Sequence, residues 1–291
     1  MEEINQIIRD FDNCSYIASE ELATILYLSK QLSKPLLLEG NPGVGKTTLA
    51  KALADSLNTN LIRLQCYEGL DVNNAIYEWN YQKQLLQIKI LENKEISVSI
   101  EKEIFGREYL LERPLLQSLT NPNQAPVLLI DEIDRADEEF EAYLLEILSD
   151  FQVSIPELGT ITASHKPFVI LTSNRTRDLS DALKRRCLYH WLDYPSKEKE
   201  LQIILKIIPE IQQKMAICIV DFIHDLRLLK LNKTPGVAET IDWAKTIILM
   251  KQHELNPSNV IQSLGVLLKN NEDFNFVKNE FLDEYFEKKS A

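Results

Sequence analysis

Apolar and polar positions along the first two thirds of the chain fall into blocks that predict strands and helices in turn. Residues 20–32 carry apolar side chains at helical spacing, and residues 46–57 do the same after a loop at 41–45. The short apolar runs that predict buried strands are 35–39, 61–66, 127–130 and 168–172. Strand, loop, helix and strand in this order form the unit of a parallel sheet flanked by helices, so the pattern predicts an α/β fold.

A helix and a hairpin are predicted between the third and fourth of these strands. Asp137 is suited to cap the helix, in which Phe140, Leu144 and Ile147 repeat at helical spacing. Residues 153–162 alternate around a Pro-Glu-Leu-Gly turn and predict a β-hairpin.

The alternating elements end before residue 195, and the pattern from there onward is helical. This change predicts an α/β core over 1–194 and a smaller all-α domain over 195–291. Within the core, residues 67–119 are mostly helical in composition. They include a charged stretch from Glu92 to Glu103 that we expect to be solvated.

Residues 40–47 read Gly-Asn-Pro-Gly-Val-Gly-Lys-Thr and fit the pattern G-x-x-x-x-G-K-[ST] at every fixed position. Glycines let such a loop curl so that its N–H groups face phosphate oxygens, and the next helix presents its positive N-terminus to the same anion. Lys46 is expected to reach the β- and γ-phosphates of a nucleotide, with ATP the expected one, and the Thr47 hydroxyl to ligate Mg²⁺. A chance glycine-rich turn is the alternative, but three of the chain's 8 glycines lie in this loop. The residues predicted to bind the nucleotide are Gly40, Asn41, Pro42, Gly43, Val44, Gly45, Lys46, Thr47 and Thr48.

Two of the predicted strands end in polar residues suited to nucleotide chemistry. The strand over 127–130 leads into Asp131 and Glu132. Asp131 is expected to hold the shell of Mg²⁺, and Glu132 to orient and polarise an attacking water. The strand over 168–172 leads to Asn174, which would bond the phosphate or position the water if the two strands are neighbours. A cap of the following turn is the alternative for Asn174.

Charge and cysteine content narrow the classes of function. The net charge is −12, and an acidic surface repels nucleic-acid phosphates, so bulk nucleic-acid binding is disfavoured. We expect neither a signal peptide nor a membrane span, because no apolar run is long enough. The four cysteines are scattered without a C-x-x-C pair, which favours reduced thiols in the cytoplasm over a zinc site or disulfides.

The order of these motifs resembles the AAA+ ATPases, and within them the MoxR-type group. The motifs at 40–47, 131–132 and 174 and the pair Arg185–Arg186 resemble Walker A, Walker B, sensor 1 and the arginine finger, in that order. The hairpin at 153–162 resembles the pre-sensor-1 hairpin, and residues 67–119 lie where MoxR proteins carry a helix-2 insert. The segments whose amino-acid sequence resembles the CoxD-like branch are 64–71, 77–81, 149–153, 182–187 and 235–239.

The resemblance implies a P-loop ATPase core with an α-helical lid, which assembles into a ring that is usually hexameric. It also implies chaperone-like remodelling of a protein client, often with a von Willebrand factor A-type partner. The CoxD-like branch is associated with maturing the metal centre of a molybdenum-containing carbon monoxide dehydrogenase. Tyr16 and Ile17 lie where relatives contact adenine, with a plain core contact as the alternative. Arg185 or Arg186 would reach the nucleotide of a neighbouring subunit, with a surface ion pair as the alternative.

One stretch departs from the family pattern. Residues 234–242 contain no arginine at the position where relatives often place sensor 2, and Arg227 is the only arginine after Arg186. Glu239 and Asp242 are expected to form an acidic first turn that suits the helix dipole. A contact with a neighbouring subunit is the alternative.

Three functions compete on this reading of the chain. The first is an ATP-hydrolysing ring that remodels a protein, and the second is a nucleotide-gated protein-binding switch with little turnover. The third is a monomeric kinase that transfers the γ-phosphoryl group to a small molecule. The pair Arg185–Arg186 favours an assembled ATPase, and the net charge disfavours a clamp loader or helicase.

Overall fold

The computed structural model describes residues 1–92 and 104–290. Its helices are α1 (Glu2–Asn13), α2 (Glu20–Leu32), α3 (Lys46–Ser56), α4 (Val72–Ala75), α5 (Tyr81–Glu92), α6 (Pro114–Thr120), α7 (Glu138–Asp150), α8 (Asp181–Arg186), α9 (Lys197–Ile207), α10 (Gln213–Arg227), α11 (Val237–Leu249), α12 (Pro257–Leu267), α13 (Asn271–Phe276) and α14 (Leu282–Ser290). Its strands are β1 (Leu36–Gly40), β2 (Leu61–Gln65), β3 (Tyr77–Trp79), β4 (Leu110–Glu112), β5 (Val127–Asp131), β6 (Gln152–Ile155), β7 (Gly159–Thr162), β8 (Phe168–Ser173) and β9 (Leu188–Leu192). Shorter turns are the 3₁₀ turns Arg107–Tyr109 and Ile133–Arg135 and the π-helical turn Val277–Phe281.

Five of the strands form one sheet in the order β2-β5-β8-β1-β9. Strand β5 pairs in parallel with β2 on one side and β8 on the other, and β8 pairs in parallel with β1. Every residue of β1 and β5 is buried, as a parallel sheet covered by helices on both faces requires. The predicted α/β fold with a following helical region is therefore confirmed.

The local signals in the sequence find most of these elements. The predicted helix over 20–32 is α2, the hairpin over 153–162 is β6 and β7, and Asp137 caps α7. Helix α1 and strand β9 were not predicted. Strand β9 has partly buried and exposed residues along most of its length, so no apolar run marks it in the sequence.

The segment at 67–119 is less helical than its composition predicts. It contains helices α4, α5 and α6, but β3 and β4 pair antiparallel within it, with Trp79 opposite Leu110. Trp79 is buried and meets the ring of Phe105 edge to face, with centroids 5.2 Å apart. The pairing is favoured because it buries this large aromatic side chain between segments distant in the chain. Most of the stretch predicted to be charged and solvated, 93–103, lies outside the described residues.

Contacts between residues divide the chain into two compact units. The first comprises 1–10, 19–39 and 47–191, and the second comprises 11–18, 40–46 and 192–291. Within the second unit, amphipathic helices bury Phe222, Trp243 and Leu264 completely, and the Trp243 indole N–H donates to Ser263 Oγ at 2.8 Å. The predicted domain division at 194/195 stays a prediction. In the described part of the chain, no helix combines the length and apolar character that a bilayer crossing needs.

Candidate functional site

The loop between β1 and α3 has a backbone that depends on its glycines. Gly43 and Gly45 have φ angles of 78° and 100°, in the left-handed region where a side chain is strained. Gly40 allows a close approach instead, since a Cβ there would lie 2.2 Å from the carbonyl oxygen of Leu192. Val44 is buried and anchors the loop, whereas Pro42 is exposed. A tightly curled, glycine-dependent loop at the start of a helix is what the sequence motif predicts.

Lys46 opens helix α3 and folds back over the loop. Its side chain is buried, and its ammonium donates to the carbonyl oxygens of Gly40 and Asn41 at 2.6 and 2.9 Å. The positive charge is therefore held within the loop by the loop's own backbone. Thr48, two residues after Lys46 in α3, is exposed.

Asp131 ends strand β5 and collects donors from three other elements of the first unit. Thr47 Oγ1 donates to both carboxylate oxygens at 3.2 Å, and Thr172 Oγ1 on β8 donates at 2.5 Å. Arg63 on β2 donates through Nε at 3.0 Å and through a terminal nitrogen at 2.6 Å. This network fixes the orientation of the carboxylate next to the Thr47 hydroxyl.

Glu132 follows Asp131 in an uncommon backbone conformation, with φ 56° and ψ 50°. Its N–H donates to Thr172 Oγ1 at 2.9 Å, which stabilises the turn. Its carboxylate accepts from Gln65 Nε2 at 3.0 Å and pairs with Arg135 Nε at 3.0 Å. The side chain of Glu132 is therefore held by Gln65 on one side and Arg135 on the other.

Asn174 follows β8, which lies directly beside β5 as the sequence argument required. Its amide Nδ2 lies 3.5 Å from Glu132 Oε1, at the limit of a hydrogen bond. The backbone N–H groups of Asn174 and Thr176 donate to the buried carboxylate of Asp134 at 3.2 and 2.8 Å. The structure thus brings Thr47, Asp131, Glu132 and Asn174 together, with Asp134 as the anchor of the Asn174 turn.

The two candidate arginines at the end of α8 differ in their surroundings. Arg186 donates through Nε to Ser149 Oγ at 2.8 Å and through a terminal nitrogen to the carbonyl of Ala182 at 3.1 Å. Arg185 is exposed, and within the described residues it has neither a hydrogen bond nor an ion pair. Among the described residues, neither side chain forms a hydrogen bond or an ion pair with Asp131 or Glu132.

Tyr16 and Ile17 are partly buried and belong to the second unit, which also contains 40–46. The ring of Tyr16 packs edge to face on Phe11 with centroids 5.6 Å apart. Burial raises the pKa of the Tyr16 hydroxyl well above its ordinary value. The core contact that was the alternative for Tyr16 is therefore present.

The donor set at Thr47 and Asp131 suits Mg²⁺. Both residues offer oxygen atoms, and Mg²⁺ commonly takes one or two protein ligands while keeping waters and phosphate oxygens. Within the described residues, no group of three or more His, Cys, Asp or Glu side chains is arranged to hold a metal. The neighbouring Cys66 does not add a thiolate, because burial and the charge of Asp131 raise its pKa to about 12.

Sequence reasoning missed four residues of this cluster: Arg63, Gln65, Asp134 and Thr172. Arg63 and Gln65 alternate along β2, so they point to the same face of the strand. Two polar residues at this spacing in an otherwise apolar strand were a usable signal. The role of Thr172 had no such signal, because threonine is common in buried strands.

Residues 36–191 match the family model described as the ATPase family associated with various cellular activities, AAA. This match covers more than half of the chain, and the chain belongs to this family.

The individual relatives reported next are each less than 30% identical to this chain. The RuvB subunit of the Holliday junction branch migration complex of Fervidobacterium nodosum is 28% identical over 184 residues, which are 59% of this chain and 42% of that protein. The large subunit of replication factor C of Sulfurisphaera tokodaii is 27% identical over 249 residues, which are 79% of this chain and 45% of that protein. An uncharacterised protein of Staphylococcus haemolyticus is 28% identical over 246 residues, which are 80% of this chain and 85% of that protein. The chain thus spans less than half the length of the first two relatives.

Solved structures agree on the fold. A structure of a Thermotoga maritima RuvB variant superposes with a TM-score of 0.50 at 20% identity, covering 89% of this chain and 74% of that chain. At this identity the likeness supports the fold alone.

Proposed function

We propose that this chain is a Mg²⁺-dependent ATPase of the MoxR type, which works in a ring and remodels a protein client. The observation that carries the proposal is the cluster in which Thr47, Asp131, Glu132 and Asn174 meet at the ends of β5 and β8. Membership of the AAA family supports nucleotide binding at the loop that precedes Thr47.

The residues of the loop would bind the phosphates of ATP. The N–H groups around Gly43 and Gly45 would donate to phosphate oxygens, and Lys46 would exchange its carbonyl partners for the β- and γ-phosphates. Thr47 and Asp131 would ligate Mg²⁺, which when bound neutralises charge on the phosphate oxygens. Tyr16 and Ile17 would contact the adenine, since they share a compact unit with residues 40–46.

Glu132 would act as the base that polarises the attacking water, and Asn174 would position that water or the phosphate. The proximity of the Asn174 amide to the Glu132 carboxylate supports a shared task. Arg185 would act on the nucleotide of a neighbouring subunit. Both arginines are exposed, but Arg185 has no hydrogen bond or ion pair in the described part of the chain, which favours it over Arg186, whose guanidinium donates to Ser149 Oγ.

The MoxR resemblance is the basis for proposing the ring, the protein client and a von Willebrand factor A-type partner. The segments similar in sequence to the CoxD-like branch are the basis for proposing maturation of a carbon monoxide dehydrogenase. The names of the RuvB and replication factor C relatives point instead to work on nucleic acid. The net charge of −12 opposes that role, and the chain spans less than half of either relative.

A nucleotide-gated switch with little turnover is the second candidate. One observation favours it: the Glu132 carboxylate is already engaged by Gln65 and Arg135. If Glu132 kept these partners when ATP is bound, it would activate water poorly and hydrolysis would be slow. A rate of phosphate release per subunit that rises with protein concentration supports the ring motor. ATP binding with negligible release at all protein concentrations supports the switch.

Glu132→Gln tests the role of the base. The amide keeps the shape of the side chain but cannot accept a proton, so we expect ATP binding to be retained and hydrolysis to fall by about 10²–10⁴. Isothermal titration with Mg²⁺ and an ATP analogue measures binding, and phosphate release measures turnover.

The matched control is Glu287→Gln, which makes the same change at an exposed position on α14. It should leave both quantities unchanged. Turnover by Glu132→Gln at the parental rate would remove Glu132 from the mechanism, and a parental chain that binds no ATP analogue would contradict the proposal as a whole.

A further inference from the structure

The phosphate loop, as we call residues 40–46 on the proposed function, contacts the start of helix α11 through backbone atoms, and both lie within the second unit. The N–H of Val237 donates to the carbonyl oxygen of Gly43 at 2.9 Å. A Cβ on Gly236 would lie 2.7 Å from the Gly43 Cα, and a Cβ on Gly43 would lie 3.0 Å from the Gly236 Cα. The two segments therefore meet so closely that only glycine fits at either position without a shift of backbone.

Glu239 holds this contact from the side of α11. Its carboxylate accepts from the N–H of Gly236 at 3.0 Å and so satisfies the first backbone donor at the helix start. The same carboxylate oxygen lies 3.0 Å from where a Gly43 Cβ would be. Glu239 is thus the acidic first-turn residue that the sequence predicts, and it also fixes the position of Gly236.

Arg227, at the end of α10, fixes the segment just before Gly236. Its Nε donates to the carbonyl oxygen of Pro235 at 2.9 Å, and its two terminal nitrogens bind the Glu200 carboxylate of α9 at 2.6 and 2.8 Å. The side chain of Arg227 is 7% exposed and that of Glu200 is fully buried. A buried, two-pronged pair of this kind is rigid, because every displaced donor would lose a partner that water cannot replace.

Other side chains lock this pair in place. Thr240, in the first turns of α11, donates to Glu200 Oε1 at 2.8 Å, and His224 Nε2 lies 2.9 Å from Glu200 Oε2. The ring of Tyr194 lies under the guanidinium, with its centroid 4.7 Å from Cζ. The Arg227–Glu200 pair therefore joins helices α9, α10 and α11, and Arg227 also bonds the carbonyl of Pro235.

We propose that Arg227 is a positioning residue for the phosphate loop: through Pro235 it holds Gly236 and Val237 against Gly43 and so keeps the loop in its nucleotide-binding form. The inference rests on the proposed function only in requiring that the loop binds nucleotide. Its consequence is that nucleotide affinity depends on the packing of α9, α10 and α11.

Gly236→Ala tests the backbone contact directly. The added methyl group pushes α11 away from Gly43, so we expect the affinity for a fluorescent ATP analogue with Mg²⁺ to fall by about tenfold or more, ~1.4 kcal/mol. The matched control is Gly265→Ala in α12, where a Cβ meets no atom within 4 Å and affinity should not change. Equal binding by the parental chain and Gly236→Ala overturns the inference, whereas a parental chain that binds no analogue is a failure of the proposed function.

A double-mutant cycle tests whether Arg227 acts through this contact. Arg227→Lys keeps a positive charge beside Glu200 but cannot bond Glu200 and Pro235 together, so alone it should weaken binding by about fivefold. In the Gly236→Ala background it should weaken binding by less than about twofold, because the contact is already lost. Full additivity of the two losses would show that Arg227 only stabilises the fold and would overturn its positioning role. The melting temperature of each variant without nucleotide, measured alongside, separates loss of folded protein from loss of affinity.

Discussion

At the scale of single residues, the candidate metal-binding carboxylate is unusual in having a cation beside it. Arg63 places two nitrogens within 3.0 Å of Asp131 Oδ2, while the arginine side chain itself is 48% exposed. The contact orients Asp131, but the positive charge also opposes a divalent cation at the same carboxylate. Asp131 is thus well held and electrostatically restrained at once.

Arg63→Gln separates these two effects. The amide removes the charge and retains a donor for Asp131, so we expect half-saturation by Mg²⁺ at a concentration about two- to fivefold lower, a small effect because the arginine is half exposed and screened by water. Titration of Mg²⁺ against binding of a fluorescent ATP analogue measures it. Arg63→Lys keeps the charge and should stay close to the parental value. Weaker Mg²⁺ binding in Arg63→Gln would mean that orientation outweighs repulsion.

At the scale of elements, α7 shows how a local signal fixes an element beside the candidate site. Asp137 lies in an extended conformation and its side chain accepts from the N–H of Phe140 at 2.8 Å. The cap begins α7 a short turn after Asp131 and Glu132, and Phe140 and Leu144 then face the core. Asp137 therefore fixes where α7 begins after β5.

Asp137→Ala should lower the free energy of unfolding by about 0.5–2 kcal/mol, because the first turn of α7 loses its side-chain acceptor. Asp137→Asn retains an acceptor oxygen and should cost much less. Urea denaturation followed by circular dichroism measures both. Equal losses for the two variants would assign the effect to charge at the helix N-terminus instead of to the cap.

At the scale of the whole molecule, the compact units do not follow the order of the chain. Residues 11–18 and 40–46 belong with the C-terminal helices, although they lie in the first fifth of the sequence. The Gly43–Val237 hydrogen bond shows what such grouping achieves, since it joins the phosphate loop to a helix almost two hundred positions later. We expect assembly to add contacts between subunits, in which the exposed Arg185 reaches the nucleotide of its neighbour.

Arg185→Ala should bind ATP but hydrolyse it more slowly by about 10³–10⁵, the range for arginine fingers in nucleoside triphosphatases. Mixing it with an excess of Lys46→Ala subunits should restore part of the activity, because an intact phosphate loop then receives Arg185 from its neighbour. Phosphate release by the mixture measures this. Arg186→Ala is the comparison and should lose much less activity. Absence of any recovery in rings that exchange subunits would exclude action between subunits.

The sequence by itself determined the α/β class, the glycine-rich loop over 40–47, the acidic end of β5, the polar residue Asn174 after β8 and the cap of α7. Each of these depends on the spacing of a few neighbouring residues, because glycine conformation, capping and strand burial are local properties. The tertiary structure alone decided that Arg63 and Thr172 hold Asp131, that β3 pairs with β4, and that Gly236 packs on Gly43. These contacts join residues far apart in the chain, and no periodic pattern records which distant strand or helix a side chain will meet. For the same reason the sequence marked Arg227 only as the last arginine, whereas its bonds to Glu200 and Pro235 show what it holds in place.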